Sequence, residues 1–115
     1  MKIEFKKTLN MINTVLAYCY TQEATDFHVD FQFKADHTAI NMEAYTKEID
    51  SKTIKQLSKI LNVPRQLEVE EKYWQMNAAT GSTDDIMLIG AMTDEGTVAY
   101  ENGKLTITIK RYFDR

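Results

Sequence analysis

Asp26, His28, Asp30, Asp36 and His37 gather two imidazoles and three carboxylates in one short stretch, the side chains that ligate a divalent metal. His28 and Asp30 stand two positions apart, so on a strand they share a face. His37 would complete a metal site and make the chain a metal-dependent enzyme. Nothing in the spacing sets His37 beside His28, however, and no HExxH or paired-cysteine motif is present. A solvated sheet face accounts for the same residues, and no metal ligand is assigned. Glu68, Glu70 and Glu71 could pair as general acid and base, but Arg65 and Lys72 balance them. Charges on a helix usually form its solvated side. Cys19 would need a cationic or helix-N-terminal setting to be a nucleophile. It falls instead on an apolar stripe near the end of a predicted helix, where a buried structural thiol is expected. The four glycines form no Walker loop, GxSxG or GxGxxG motif. These residue types assign no catalytic group and no cofactor.

The segment from Val63 to Trp74 has the most unusual composition. Pro64 precedes a predicted helix that carries Arg65, Glu71 and the adjacent pair Tyr73-Trp74. Trp and Arg often anchor interfaces, so Arg65, Glu71, Tyr73 and Trp74 are the interaction candidates. The competing reading makes Trp74 a cap on the core over the sheet.

The elements that must position these residues follow from periodicity. Asn102-Gly103 separates two alternating runs and suits a two-residue turn with positive φ at both central positions. Glu101 then faces Lys104, Tyr100 faces Leu105 and Val98 faces Ile107. Tyr100, Val98, Leu105, Ile107 and Ile109 share one face, and Thr106, Thr108 and Lys110 the other. A second hairpin is predicted from Phe27, Val29, Phe31 and Phe33, which face inward, and Ile40, Met42 and Ala44. Helical spacing of Leu9, Ile12, Leu16, Cys19 and Tyr20, widened by Met11, Val15 and Tyr18, predicts a helix from about Thr8 to Gln22. Residues 1–7 read as a short strand or an extended lead-in. Asp50 or Ser51 can cap a helix with Ile54, Leu57, Ile60 and Leu61 inward, ended by Asn62-Val63-Pro64. A third helix is predicted from Arg65 to about Asn77, with Leu67, Val69, Tyr73, Trp74 and Met76 as its apolar set; Ala78 to Gly81 break it. Ser82-Thr83-Asp84-Asp85 opens a last helix, and Gly96 suits the left-handed position after its end. The expected fold is α+β: a mainly antiparallel sheet of two hairpins with three to four helices packed on one face, in a single domain over residues 1–115.

With 115 residues, 43% of them hydrophobic, the chain can bury its own core. The net charge of −3 comes from interspersed signs, so the basic footprint of a nucleic-acid binder is missing. No run reaches membrane-spanning length, and the first residues lack the apolar core of a signal peptide. One cysteine fits a reducing compartment. The expectation is a soluble cytoplasmic protein without nucleic-acid or membrane partners.

The order of elements resembles the second part of the ATPase-like domain of sensor histidine kinases. In that family an apolar helix leads into two strands, helices and a lid follow, and a final helix runs into a closing hairpin. Asn10 to Thr21 is similar to the family's first helix. Asp26–Phe33 and Thr38–Tyr45 resemble its strands, Asp84–Gly96 its last helix, and Val98–Ile109 its hairpin. The resemblance implies a two-layer sandwich in a bacterial signalling protein. It does not carry over the nucleotide site. Leu16 stands where the magnesium-binding asparagine is expected, the strand ending Glu43-Ala44-Tyr45 runs into no glycine box, and Gly81 and Gly90 form no phosphate loop. The reading is therefore a shortened relative acting as a non-catalytic interaction or regulatory domain, with an unidentified protein or a second copy as partner. The alternative is a small ligand or nucleotide held in an altered pocket between the Trp74 helix and the sheet.

Overall fold

Four alternating segments make a four-stranded antiparallel sheet in the computed structural model, which describes residues 3–76 and 80–113, without the side chain of Met76. Strand β1 (Asp26–Phe33) turns into β2 (His37–Tyr45), and β3 (Glu95–Glu101) turns into β4 (Lys104–Tyr112). The sheet order is β1-β2-β4-β3, so the last strand in sequence lies between β2 and β3 and joins the two hairpins. Ile40, Met42 and Ala44 pair with Ile109, Ile107 and Leu105, and these six residues are fully buried. The register of the second hairpin is the one expected, with Glu101 opposite Lys104 and Val98 opposite Ile107. Asn102 and Gly103 have φ of 53° and 79°, the doubly left-handed turn whose twist matches the strands.

Helices cover the inner face of the sheet: α1 (Ile3–Thr21), α2 (Ser51–Ile60), α3 (Leu67–Tyr73) and α4 (Thr83–Ala91), with a 3₁₀ turn, Trp74–Met76, after α3. The fold is α+β, as expected. Asp50 caps α2 by accepting the Thr53 N–H at 2.7 Å, and Ser82 caps α4 by accepting that of Asp85 at 3.2 Å.

Several expectations are corrected. Ile3 to Lys7 belong to α1 rather than to a strand or lead-in; Met1 and Lys2 lie outside the described residues. The buried stripe of α1 is Thr8, Met11, Ile12, Val15 and Cys19, while Leu9 and Tyr20 face solvent. The stripe is rotated because threonines occupy inward positions, which hides its phase in a hydrophobicity pattern. The third helix is shorter than predicted, and its expected end at Asn77 and the break at Ala78 and Ala79 fall outside the described residues. Gly96 sits within β3, where a Cβ would stand 2.9 Å from the Leu61 carbonyl oxygen; close approach of α2's end selects glycine there. Phe27, Val29, Phe31 and Phe33 do point to the inner face, opposite Ala44, Met42, Ile40 and Thr38. Strand β1 is an edge, however, and the helix layer leaves most of its face uncovered.

Gly103→Val should cost about 1–2 kcal/mol, because a β-branched residue resists positive φ. Lys104→Ala, which loses only an exposed 3.6 Å pair with Glu43, should stay within about 0.5 kcal/mol. Urea unfolding of the two variants checks the turn.

Candidate functional site

Helix α3 has two chemically different sides. The side facing α1 and the sheet is an ion cluster. Arg111, at an inward position of β4, is 1% exposed and uses every N–H of its guanidinium. Its Nε and Nη2 donate to Glu4 at 2.9 and 2.8 Å, its Nη1 and Nη2 donate to Glu70 at 3.0 and 3.1 Å, and Nη1 also reaches the Met92 carbonyl. Glu70 is equally buried and accepts from Lys7 at 2.7 Å and from Arg65 Nε at 3.0 Å. Arg65 continues to Asp94 at 2.8 Å and to the Tyr112 carbonyl at 2.8 Å, and Asp94 accepts the Tyr112 N–H at 2.6 Å. Lys7 also bonds the exposed Glu71 at 2.7 Å. One network thus joins α1, α3, β4 and the loops on either side of α3 and α4.

Charge and burial compete at Glu70. Burial would raise its carboxyl pKa, but hydrogen bonds and charge from Arg111, then hydrogen bonds from Lys7 and Arg65, hold it down at about 2. Burial works against the Arg111 charge too, and its bonds to Glu4 and Glu70 raise its pKa further above the ordinary arginine range. The expectation that Glu70 lies on a solvated side is corrected. Three cations reach it from three elements, which no local spacing along α3 reveals.

Glu4, Lys7, Arg65, Glu70 and Glu71 line a concavity of about 340 Å³ between α3, α1 and the end of the sheet. The alternative of a ligand held between the Trp74 helix and the sheet points to this concavity. Its cations are each already bound to carboxylates, and carboxylates outnumber them on the lining. Such a wall repels a phosphate group. A cavity of about 30 Å³ lies between α1, α2 and α4, beside Tyr18, Leu57 and Ile86, and an open depression of about 440 Å³ on α2 is lined by Ser51, Lys52, Lys55, Gln56 and Lys59.

The other side of α3 faces α4 across an open groove of about 350 Å³. Val69, Tyr73, Leu88 and the exposed Met87 form its apolar floor, with Asp84 and Asp85 along one margin. The four interaction candidates therefore separate. Tyr73 lines the groove, with Lys72 Nζ 5.4 Å from its ring centroid. Glu71 is exposed on the cluster side, and Arg65 is held inside the cluster. Trp74 packs into the core at 7% exposure, and its carbonyl accepts from Asn10 at 3.1 Å.

The first hairpin brings together less than its composition suggests. His28 stands opposite Glu43, six positions along β2 from His37, or about 20 Å in extended chain. His37 instead bonds Asp36 at 2.7 Å and approaches the Tyr112 ring. Among the described residues no three His, Cys, Asp or Glu form a metal-holding group. Cys19 lies in the core, and burial pushes its thiol up to about 12, so it stays protonated near neutral pH.

Removing Glu70 would strand buried cations, so Glu70→Ala should destabilise by about 3–5 kcal/mol. Because the folded pKa of Glu70 lies below its ordinary 4.5, its stabilisation is fully present above pH 4.5 and is lost as pH falls toward about 2. Urea midpoints should decline across that window, and the part due to Glu70 should vanish in Glu70→Gln. Trp74→Ala should cost about 3–5 kcal/mol without altering assembly state in light scattering, as expected of a core ring.

A scan against protein-family models gives no match for this chain, and neither does a search of curated proteins.

Proposed function

We propose that this chain is a non-catalytic interaction or regulatory domain of bacterial signalling type. It acts in the cytoplasm on a shortened histidine-kinase-ATPase-like fold without a working nucleotide site. The observation that carries this reading is the contrast between the two sides of α3. The side toward the sheet is occupied by ion pairs that complete one another. The side toward α4 is an open apolar groove with an acidic margin. A groove of that form takes an apolar segment flanked by basic residues, in the helix-in-groove manner.

The order of elements supports the family part of the proposal. An apolar helix precedes two strands, three helices follow, and the last runs into a closing hairpin. The carboxylate-rich, ion-paired lining of the concavity between α3, α1 and the end of the sheet supports the absence of a nucleotide there.

Two measurements test the reading. ATP with magnesium should leave the melting temperature unchanged. A ligand at one hundred times its dissociation constant would add about 2.7 kcal/mol, so a reproducible shift would favour the ligand-binding alternative. Met87 is 56% exposed, so Met87→Arg should leave folding intact. It should abolish capture of a partner that the wild-type chain retains from its native cell. Equal capture by both chains would remove the groove from the proposal.

A further inference from the structure

We infer that β1 is a self-association edge, across which two copies of this chain pair their β1 strands antiparallel about a two-fold axis at Val29. No described strand pairs with the outer side of β1. Lys34 N–H donates to the His37 carbonyl at 2.8 Å, and bonding alternates along an antiparallel pair. The even-numbered residues of β1 are thus bonded to β2. The backbone N–H and C=O groups of Phe27, Val29, Phe31 and Phe33 point to the open edge.

Natural sheets usually protect such an edge with proline, lysine, a bulge or an inward charge. Strand β1 contains no proline or lysine, pairs with β2 without a bulge, carries its charges, Asp26 and Asp30, on the outer face, and has only apolar residues at its inward positions. Phe27, Val29 and Phe33 are 37%, 39% and 45% exposed. A second strand would set its own apolar side chains beside this row and satisfy the unpaired backbone.

Charge complementarity selects a second copy as the occupant, and selects one register. With Val29 opposite Val29 of the second copy, Phe27 meets Phe31, Asp26 meets Gln32, and His28 meets Asp30, each pair occurring twice by symmetry. The His28–Asp30 pairs fall at the non-hydrogen-bonded positions, where opposing side chains are closest. An imidazole N–H can then donate to the carboxylate. Sliding by two residues one way sets Asp30 against Asp30 while bringing Asp26 opposite Lys34; the other way sets His28 against His28 and Asp26 against Asp30. Like charges directly opposite are destabilising. The favoured pairing would join the two sheets into one of eight strands. It draws only on this edge, so it stands or falls separately from the groove and from nucleotide binding.

Sedimentation velocity of the full chain over a concentration series tests the inference. The wild-type chain should show a reversible monomer–dimer equilibrium. Val29→Lys, which sets two ammonium groups face to face on the axis, should be monomeric with an unchanged far-ultraviolet circular dichroism spectrum. His28→Asp lies on the solvated face and should weaken the dimer about tenfold through two opposed carboxylate pairs. Adding Asp30→His to that variant exchanges the partners and should restore the wild-type association. A monomer at every concentration, a dimer unchanged by Val29→Lys, or failure of the exchange to restore association would each overturn the proposal.

Discussion

Arg111 is the constraint around which the helix layer is arranged. A guanidinium removed from water must have its donors met, and here one fork grips carboxylates from α1 and α3 together with a carbonyl at the end of α4. Glu4 must then face inward at the start of α1, and Glu70 must turn to the sheet rather than to solvent. Lys7 and Arg65 follow as the counter-charges that Glu70 still needs. A lysine could not do the same, because it lacks the planar fork that addresses two carboxylates at once. The cluster adds orientation more than net energy. It ties one turn of α3 to one residue of β4 through the Glu70–Arg111 contact.

That arrangement divides the surface by chemistry. Where the ion pairs lie, the protein is closed to further charge. Apolar side chains stand open on the far side of α3 and along β1, and Leu67 and Phe113 also stand open at the margin of the cluster's concavity. Trp74, which heads the turn after α3, points into the core and does not line the groove.

Both hairpins were legible from the chain because each has a strict period of two and a turn or reversal at a definite place. Asn102-Gly103 even determined the pairing partners. Helix existence was legible as well, since Asp50 and Ser82 cap where capping chemistry predicts. Helix phase was less so: Thr8 and Thr14 are buried on α1, and a reading that counts only apolar residues misplaces the stripe. The coverage of β1 could not be read, because alternation says which way a side chain points but not whether a helix lies above it. The ion cluster was the largest omission. Arg111 continues the inward parity of Leu105, Ile107 and Ile109, and a charge at that parity was the available signal. Its partners lie at positions 4 and 70, and sequence spacing carries no information about contacts at that separation.

The position of β4 also sets a schedule for folding. The strand made last occupies the middle of the sheet, between partners made earlier, so neither β2 nor β3 can complete its ladder until residues 104–112 have left the ribosome. Until then the first hairpin has two open edges, and Glu4 and Glu70 lack the guanidinium that joins them. The sheet is therefore completed only when β4 enters between β2 and β3, and its β2 ladder joins residues far apart in sequence, from Tyr45 with Lys104 to His37 with Tyr112. Such a topology folds slowly for its size and leaves unpaired strand edges vulnerable to association while it waits.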